Sequence, residues 1–149
     1  MGLLDWLRGW RGGNAHPLPA LSQEEREFHG LDVQAVLEAH LAWRKRLEAA
    51  LAGEHPVPEL SVIVRDDQCT LGQWIHGPAA RSTLALHPEF AQLREAHRRF
   101  HLCAARVVQV FRLQGLEAAQ RLLEGEFNER SKEIVQSLVA LMEREKALY

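Results

Sequence analysis

Apolar residues recur at intervals of three and four along most of the chain, and the breaks between these runs fall at glycine and proline. Leu3, Trp6, Leu7 and Trp10 share one face of a short segment whose other face carries Asp5 and Arg8, which predicts an amphipathic helix within residues 1–12. A helix this short is marginal alone in water, so residues 1–10 are expected to dock on the chain itself, on a partner protein or weakly on a membrane surface. RGGNAHPLPA follows, with two glycines and two prolines, and reads as a linker. Ser22 with Glu25 makes a capping-box pattern, so residues 13–30 are expected to hold the linker and one short helix that ends before Gly30.

From Asp32 the pattern strengthens. Val33, Val36, Leu37, Leu47 and Leu51 fall on one helical stripe, with His40 in its middle, until Gly53, Pro56 and Pro58 end it. LSVIVRDD is β-branched, but no second run exists to pair with it, so it reads as an extended connection. A short helix is expected to begin at Asp66 or Asp67, capped by one of these acids, and to carry Cys69 and Trp74 as far as Gly77-Pro78. His87-Pro88 opens the next helix, and its stripe reads Phe90, Leu93, His97, His101, Ala104, Val108 and Phe111. Gly115 closes it, and a last helical region from Leu116 toward the C-terminus offers Leu122, Leu123, Phe127, Ile134, Leu138, Leu141 and Met142 to a core. The expected fold class is all-α: a bundle of about four helices over residues 31–149, with a short extra helix that delivers Cys69.

Composition narrows the function. The formal net charge is -2, so there is no global basic field of the kind that draws nucleic acid. Two cysteines do not make a secreted disulfide scaffold, and no signal-peptide or membrane-spanning run opens the chain, so the cytoplasm is the expected location. The eight histidines change the picture more. His97 and His101 are four residues apart, one helical turn, and both interrupt an apolar seam where an imidazole needs a partner for each nitrogen. His40 has the same difficulty on another helix. Three imidazoles facing one core solve it together by binding a metal, and Cys69 supplies a fourth donor. Three nitrogens and one thiolate suit tetrahedral Zn²⁺, and a site filled by protein is structural or sensory rather than hydrolytic.

His40 in EAHLAWRKRL, Cys69 in DDQCTLGQWIHG and the pair in LREAHRRFHLCA together resemble the motifs of the chemoreceptor zinc-binding (CZB) domain, over about Leu31 to Leu141. The resemblance implies that His40, Cys69, His97 and His101 are the zinc ligands. It also implies a regulatory role, because such domains are usually fused to bacterial chemotaxis receptors or diguanylate cyclases and respond to zinc or to oxidation of the ligating cysteine. With only a short head and a linker ahead of the domain, it reads as a stand-alone CZB domain whose output acts in trans on a partner of chemoreceptor or diguanylate cyclase type. Homodimers, which the family often forms, are compatible with the apolar seams.

The remaining candidates have plainer readings. His76 is expected as an exposed helix-end residue, His87 as part of a helix start, and His16, His29 and His55 as surface positions. Cys103 is expected as a buried thiol turned away from the ligands, and Arg98 with Arg99 as a solvated face. Trp43 and Trp74 either pack the core or wall the site, and Gly72 is expected to let the short helix approach its neighbour. A non-enzymatic zinc sensor is the first functional expectation, and a zinc-stabilised scaffold or dimerisation bundle is the second. A zinc hydrolase ranks third, because no His-Glu-x-x-His helix supplies a general base.

Overall fold

The computed structural model describes residues 2–11 and 16–148. Part of the expected linker, residues 12–15, lies outside the described residues. The first amphipathic run forms α1 (Leu3–Gly9) and docks on its own chain. Trp6 and Trp10 stack with ring centroids 5.0 Å apart, and both are buried in the common core. The carboxylate of Glu25 accepts the Leu3 N–H at 2.7 Å, satisfying one of the amide groups that the start of a helix leaves open. Ser22 caps α2 (Gln23–Arg26) by accepting from the Glu25 N–H, as the capping-box pattern predicts.

Between α2 and the first long helix lies an element that the periodicity does not reveal, a two-stranded antiparallel hairpin of β1 (Glu27–Phe28) and β2 (Leu31–Asp32). Its two-residue loop is His29-Gly30, with φ of 49° and 84°, the positive angles that a primed hairpin turn requires. Asp32 then caps α3 (Val33–Leu51) through the Ala35 N–H, at the predicted start. The stripe Val33, Val36, Leu37, Leu47 and Leu51 is buried throughout.

LSVIVRDD is not an extended connection. Its first half makes one helical turn, α4 (Leu60–Ile63), with Ile63 buried. A β-branched run without a partner strand leaves its backbone groups unpaired, whereas the turn closes Ile63 and Val64 N–H onto Glu59 and Leu60 carbonyls. The short helix α5 (Thr70–His76) also starts later than expected, after a turn that contains Asp66 and Asp67. Two short 3₁₀ turns follow, at Ala79–Arg81 and Thr83–Leu86. Pro88 then stands in the first turn of α6 (Pro88–Gln114), the long central helix.

After Gly115 the final helical region runs as α7 (Leu116–Leu122), a π-helical turn (Leu123–Phe127) and α8 (Asn128–Lys146). Leu123, Phe127, Ile134, Leu138 and Leu141 are buried as expected, while Leu122 and Met142 are only partly so. The result is the all-α bundle that the pattern predicts: α3, α6 and α7–α8 enclose the core, with α1 against α8, the hairpin against α2 and α3, and α4 against α6. No helix among the described residues is long and apolar enough to cross a membrane.

Candidate metal centre

Four side chains converge at the centre of the bundle. His40 comes from α3, His97 and His101 from successive turns of α6, and Cys69 from the residue that opens α5. Their nearest donor atoms all lie within 4.8 Å of one another. Cys69 Sγ is 3.1 Å from His97 Nε2, 3.8 Å from His101 Nε2 and 4.0 Å from His40 Nε2, and the two α6 Nε2 atoms are 3.2 Å apart. A tetrahedral zinc ion with ordinary bond lengths separates nitrogens by about 3.3 Å and nitrogen from sulfur by about 3.6 Å. The cluster therefore has the size of a Zn²⁺ coordination shell.

Hydrogen bonds aim the converging donor atoms. His40 Nδ1–H donates to the Val36 carbonyl at 3.0 Å and His101 Nδ1–H to the Ile63 carbonyl at 2.9 Å. Each bond fixes the tautomer and leaves Nε2 as a bare lone pair turned inward. Here the unexpected turn α4 finds its use, since the Ile63 carbonyl orients an imidazole from another helix. The Val36 contact was within reach of the pattern, one turn before His40 on the same face. The Ile63 contact was not, because it depends on how α4 packs against α6. His97 Nδ1 is buried with no hydrogen-bonding partner among the described residues.

Electrostatics makes the same point. Histidine exposure is 0% for His97, 3% for His101 and 7% for His40. Burial lowers all three imidazoles, His40 to about 4 and His97 to about 2, so at neutral pH protons do not fill the space between their lone pairs. Converging acceptors in a dry core repel one another unless a cation stands between them. Burial pushes the Cys69 thiol up, opposed by the amides of Gly72 and Leu71. Three neutral imidazoles and one ionisable sulfur are a donor set suited to zinc.

Cys69 occupies the N-cap of α5, where its Sγ accepts the Gly72 N–H at 3.3 Å. Sulfur thus does the capping that the sequence pattern assigns to Asp66 or Asp67, and the cap fixes the side chain that reaches the centre. Gly72 is needed here for a different reason from the one its position suggested. A Cβ at this residue would stand 1.7 Å from the Asp66 carbonyl oxygen, so the close approach is to the preceding turn and not to another helix. Gly72→Ala is expected to lower stability by about 1–3 kcal/mol and to weaken zinc binding with it, measured by thermal melting and metal titration.

Residues 40–108 match the family model of the chemoreceptor zinc-binding domain. Over these residues the chain is similar to a CZB domain. The match is narrower than the span over which the motifs suggested it, and it holds all four converging side chains. No curated protein and no solved structure matches the chain.

Around the cluster, Trp74 is buried and its indole N–H donates to the His29 carbonyl at 3.0 Å, tying α5 to the hairpin. Trp43 is half-buried with its ring centroid 6.1 Å from that of His101, so it both packs and walls the site. Cys103 is buried away from the centre, with its thiol pushed up to about 12 by burial. His76 is exposed, 3.7 Å from Asp66, and Arg98 and Arg99 pair with Glu95 on the surface. His87 stands at the N-cap of α6 as expected, and its side chain makes no capping bond but reaches Glu145 of α8 at 2.9 Å. One other histidine departs from expectation. His16 is half-buried, its ring stacked on Trp6 with centroids 5.9 Å apart. His29 and His55 are exposed as predicted.

Proposed function

We propose that His40, Cys69, His97 and His101 hold Zn²⁺ and that the bundle of residues 31–149 is a non-enzymatic regulatory module. It responds to zinc level or to Cys69 oxidation and acts on a signalling partner in trans in the cytoplasm. Bound zinc would keep the Cys69 thiol deprotonated and leave no vertex for water. The observation that carries the sensory reading is the division of exposure within the cluster. The three histidines are buried, while Cys69, the one donor with redox chemistry, is half-exposed.

The chemistry of the switch follows from that position. The Cys69 sulfur attacks a peroxide oxygen, an S–O bond forms, the O–O bond breaks and hydroxide leaves. Two electrons pass from sulfur to peroxide, giving a sulfenic acid at Cys69. The oxidised sulfur is a poor donor, so three histidines are left to hold the ion and the start of α5 loses its anchor. Cys103 serves as the internal control, since its buried thiol stays protonated.

The test is treatment of the zinc-loaded protein with hydrogen peroxide. One equivalent of zinc is expected to be released as Cys69 is modified, with Cys103 unmodified, and a thiol reductant should restore binding. Zinc retained while Cys69 is oxidised would overturn redox sensing. If zinc removal melts the fold and changes no partner contact in a pull-down, the domain is a zinc-stabilised scaffold instead.

A further inference from the structure

The π-helical turn Leu123–Phe127 is tied to both helices that carry the histidines. Arg44 stands one turn beyond His40 on α3, and its Nη1–H groups donate to the Leu123 carbonyl at 3.1 Å and to Asn128 Oδ1 at 2.6 Å. Its Nε–H is held by Glu48 at 2.8 Å. Asn128 Nδ2–H in turn donates to the Glu124 carbonyl at 3.0 Å. Side chains thus bind two carbonyls of the turn. On the apolar side, Phe127 packs on Phe100 with centroids 5.2 Å apart, and Phe100 packs on His40 at 5.3 Å and His101 at 5.6 Å. Arg106 of α6 also reaches Glu126 at 2.7 Å, though that pair is exposed and contributes little.

We propose that this turn is the element through which occupancy of the metal site reaches α8, with Arg44 as the residue that couples them. The inference rests on the reading that His40 is a zinc ligand. A π turn inserts one residue into a helix and loosens its hydrogen bonding, so it persists where outside groups satisfy what it leaves open. A pinned His40 fixes the axial position of α3 one turn from Arg44, which seats the guanidinium on Leu123 and Asn128. A released His40 frees that stretch of α3, the guanidinium loosens, and the carbonyls of Leu123 and Glu124 lose their partners together. By linkage, whatever disturbs the turn must also weaken zinc binding.

Amide hydrogen exchange of the full chain, with zinc and after chelation, tests this. Amides of residues 123–128 are expected to exchange about tenfold faster after chelation, beyond any change in α1. Arg44→Met should still take up zinc, more weakly, and lose that difference, while Arg44→Lys, which keeps a donor, restores part of it. Asn128→Ala should lose it too, and carries the test should Arg44→Met not fold. Unchanged exchange at the turn, equal acceleration throughout the chain, or a full difference surviving in either variant overturns the inference. Zinc content of the same samples separates the two readings. Wild-type protein that takes up no zinc overturns both, whereas zinc uptake without a response at the turn overturns only this one.

Discussion

Cys69→Ala is expected to lower zinc affinity by about two to three orders of magnitude. A structural zinc site is worth about 10–16 kcal/mol in all, so each of four donors carries about 2.5–4 kcal/mol, and about 1.4 kcal/mol is tenfold. The substitution has a second effect that must be separated from the first. Cys69 also caps α5 through the Gly72 N–H, and removing a cap costs about 1 kcal/mol whether or not metal is present. Cys69→Ser divides the two, because a serine hydroxyl is a good cap and a poor zinc donor. Competition with a chromophoric chelator should show both variants binding weakly. Melting in excess chelator should show only the alanine variant destabilised relative to wild type. Wild-type affinity in Cys69→Ala would mean that the thiolate is not a donor.

The contrast between cap and ligand also marks where the sequence stops being readable. The three converging histidines could be read because polar residues in an apolar helical seam need an explanation, and the helical period puts His97 and His101 on one face. Cys69 could be read as a donor but not as a cap. Cysteine is not among the usual capping residues, so the pattern assigns that role to the nearby aspartates. The turn at Leu60–Ile63 was hidden for a tertiary reason. Its β-branched composition suggests extended chain, and its value lies in a carbonyl offered to His101 on another helix. The hairpin strands are each two residues long, too short for alternation to register. The π turn leaves a faint trace in the buried positions Ala119, Leu123 and Phe127. Two steps of four in succession drift from an ideal period of about 3.6, but a pattern that tolerates steps of three or four absorbs the drift.

Acidification is expected to destabilise the metal-free protein steeply between about pH 6.5 and pH 4. In the unfolded chain His40, His97 and His101 take up protons near the ordinary histidine value of 6.5, whereas burial lowers them in the fold, His40 to about 4 and His97 to about 2. Below 6.5 the unfolded state therefore binds more protons than the folded one. Stability is fully present above that value and is lost as pH falls toward the folded values. His40 and His97 each contribute up to about 1.4 kcal/mol per pH unit, so the two together reach on the order of 3 kcal/mol per unit, and His101 acts in the same direction. That is a large share of the roughly 5–15 kcal/mol that holds a typical domain folded. Urea titrations at pH 7, 6 and 5 should show the fall, and replacing His97 with leucine should reduce its slope by about 1.4 kcal/mol per pH unit at most. A midpoint that does not move over this range would contradict the burial of the imidazoles. The same geometry sets the pH dependence of zinc binding near neutrality. The imidazoles are already neutral there, so the one proton that zinc must displace comes from Cys69, whose thiol burial raises. Affinity should then rise about tenfold per pH unit between about pH 7 and 8, one proton for each ion bound. A steeper dependence would mean that at least one of the three histidines holds its proton in the folded protein at neutral pH.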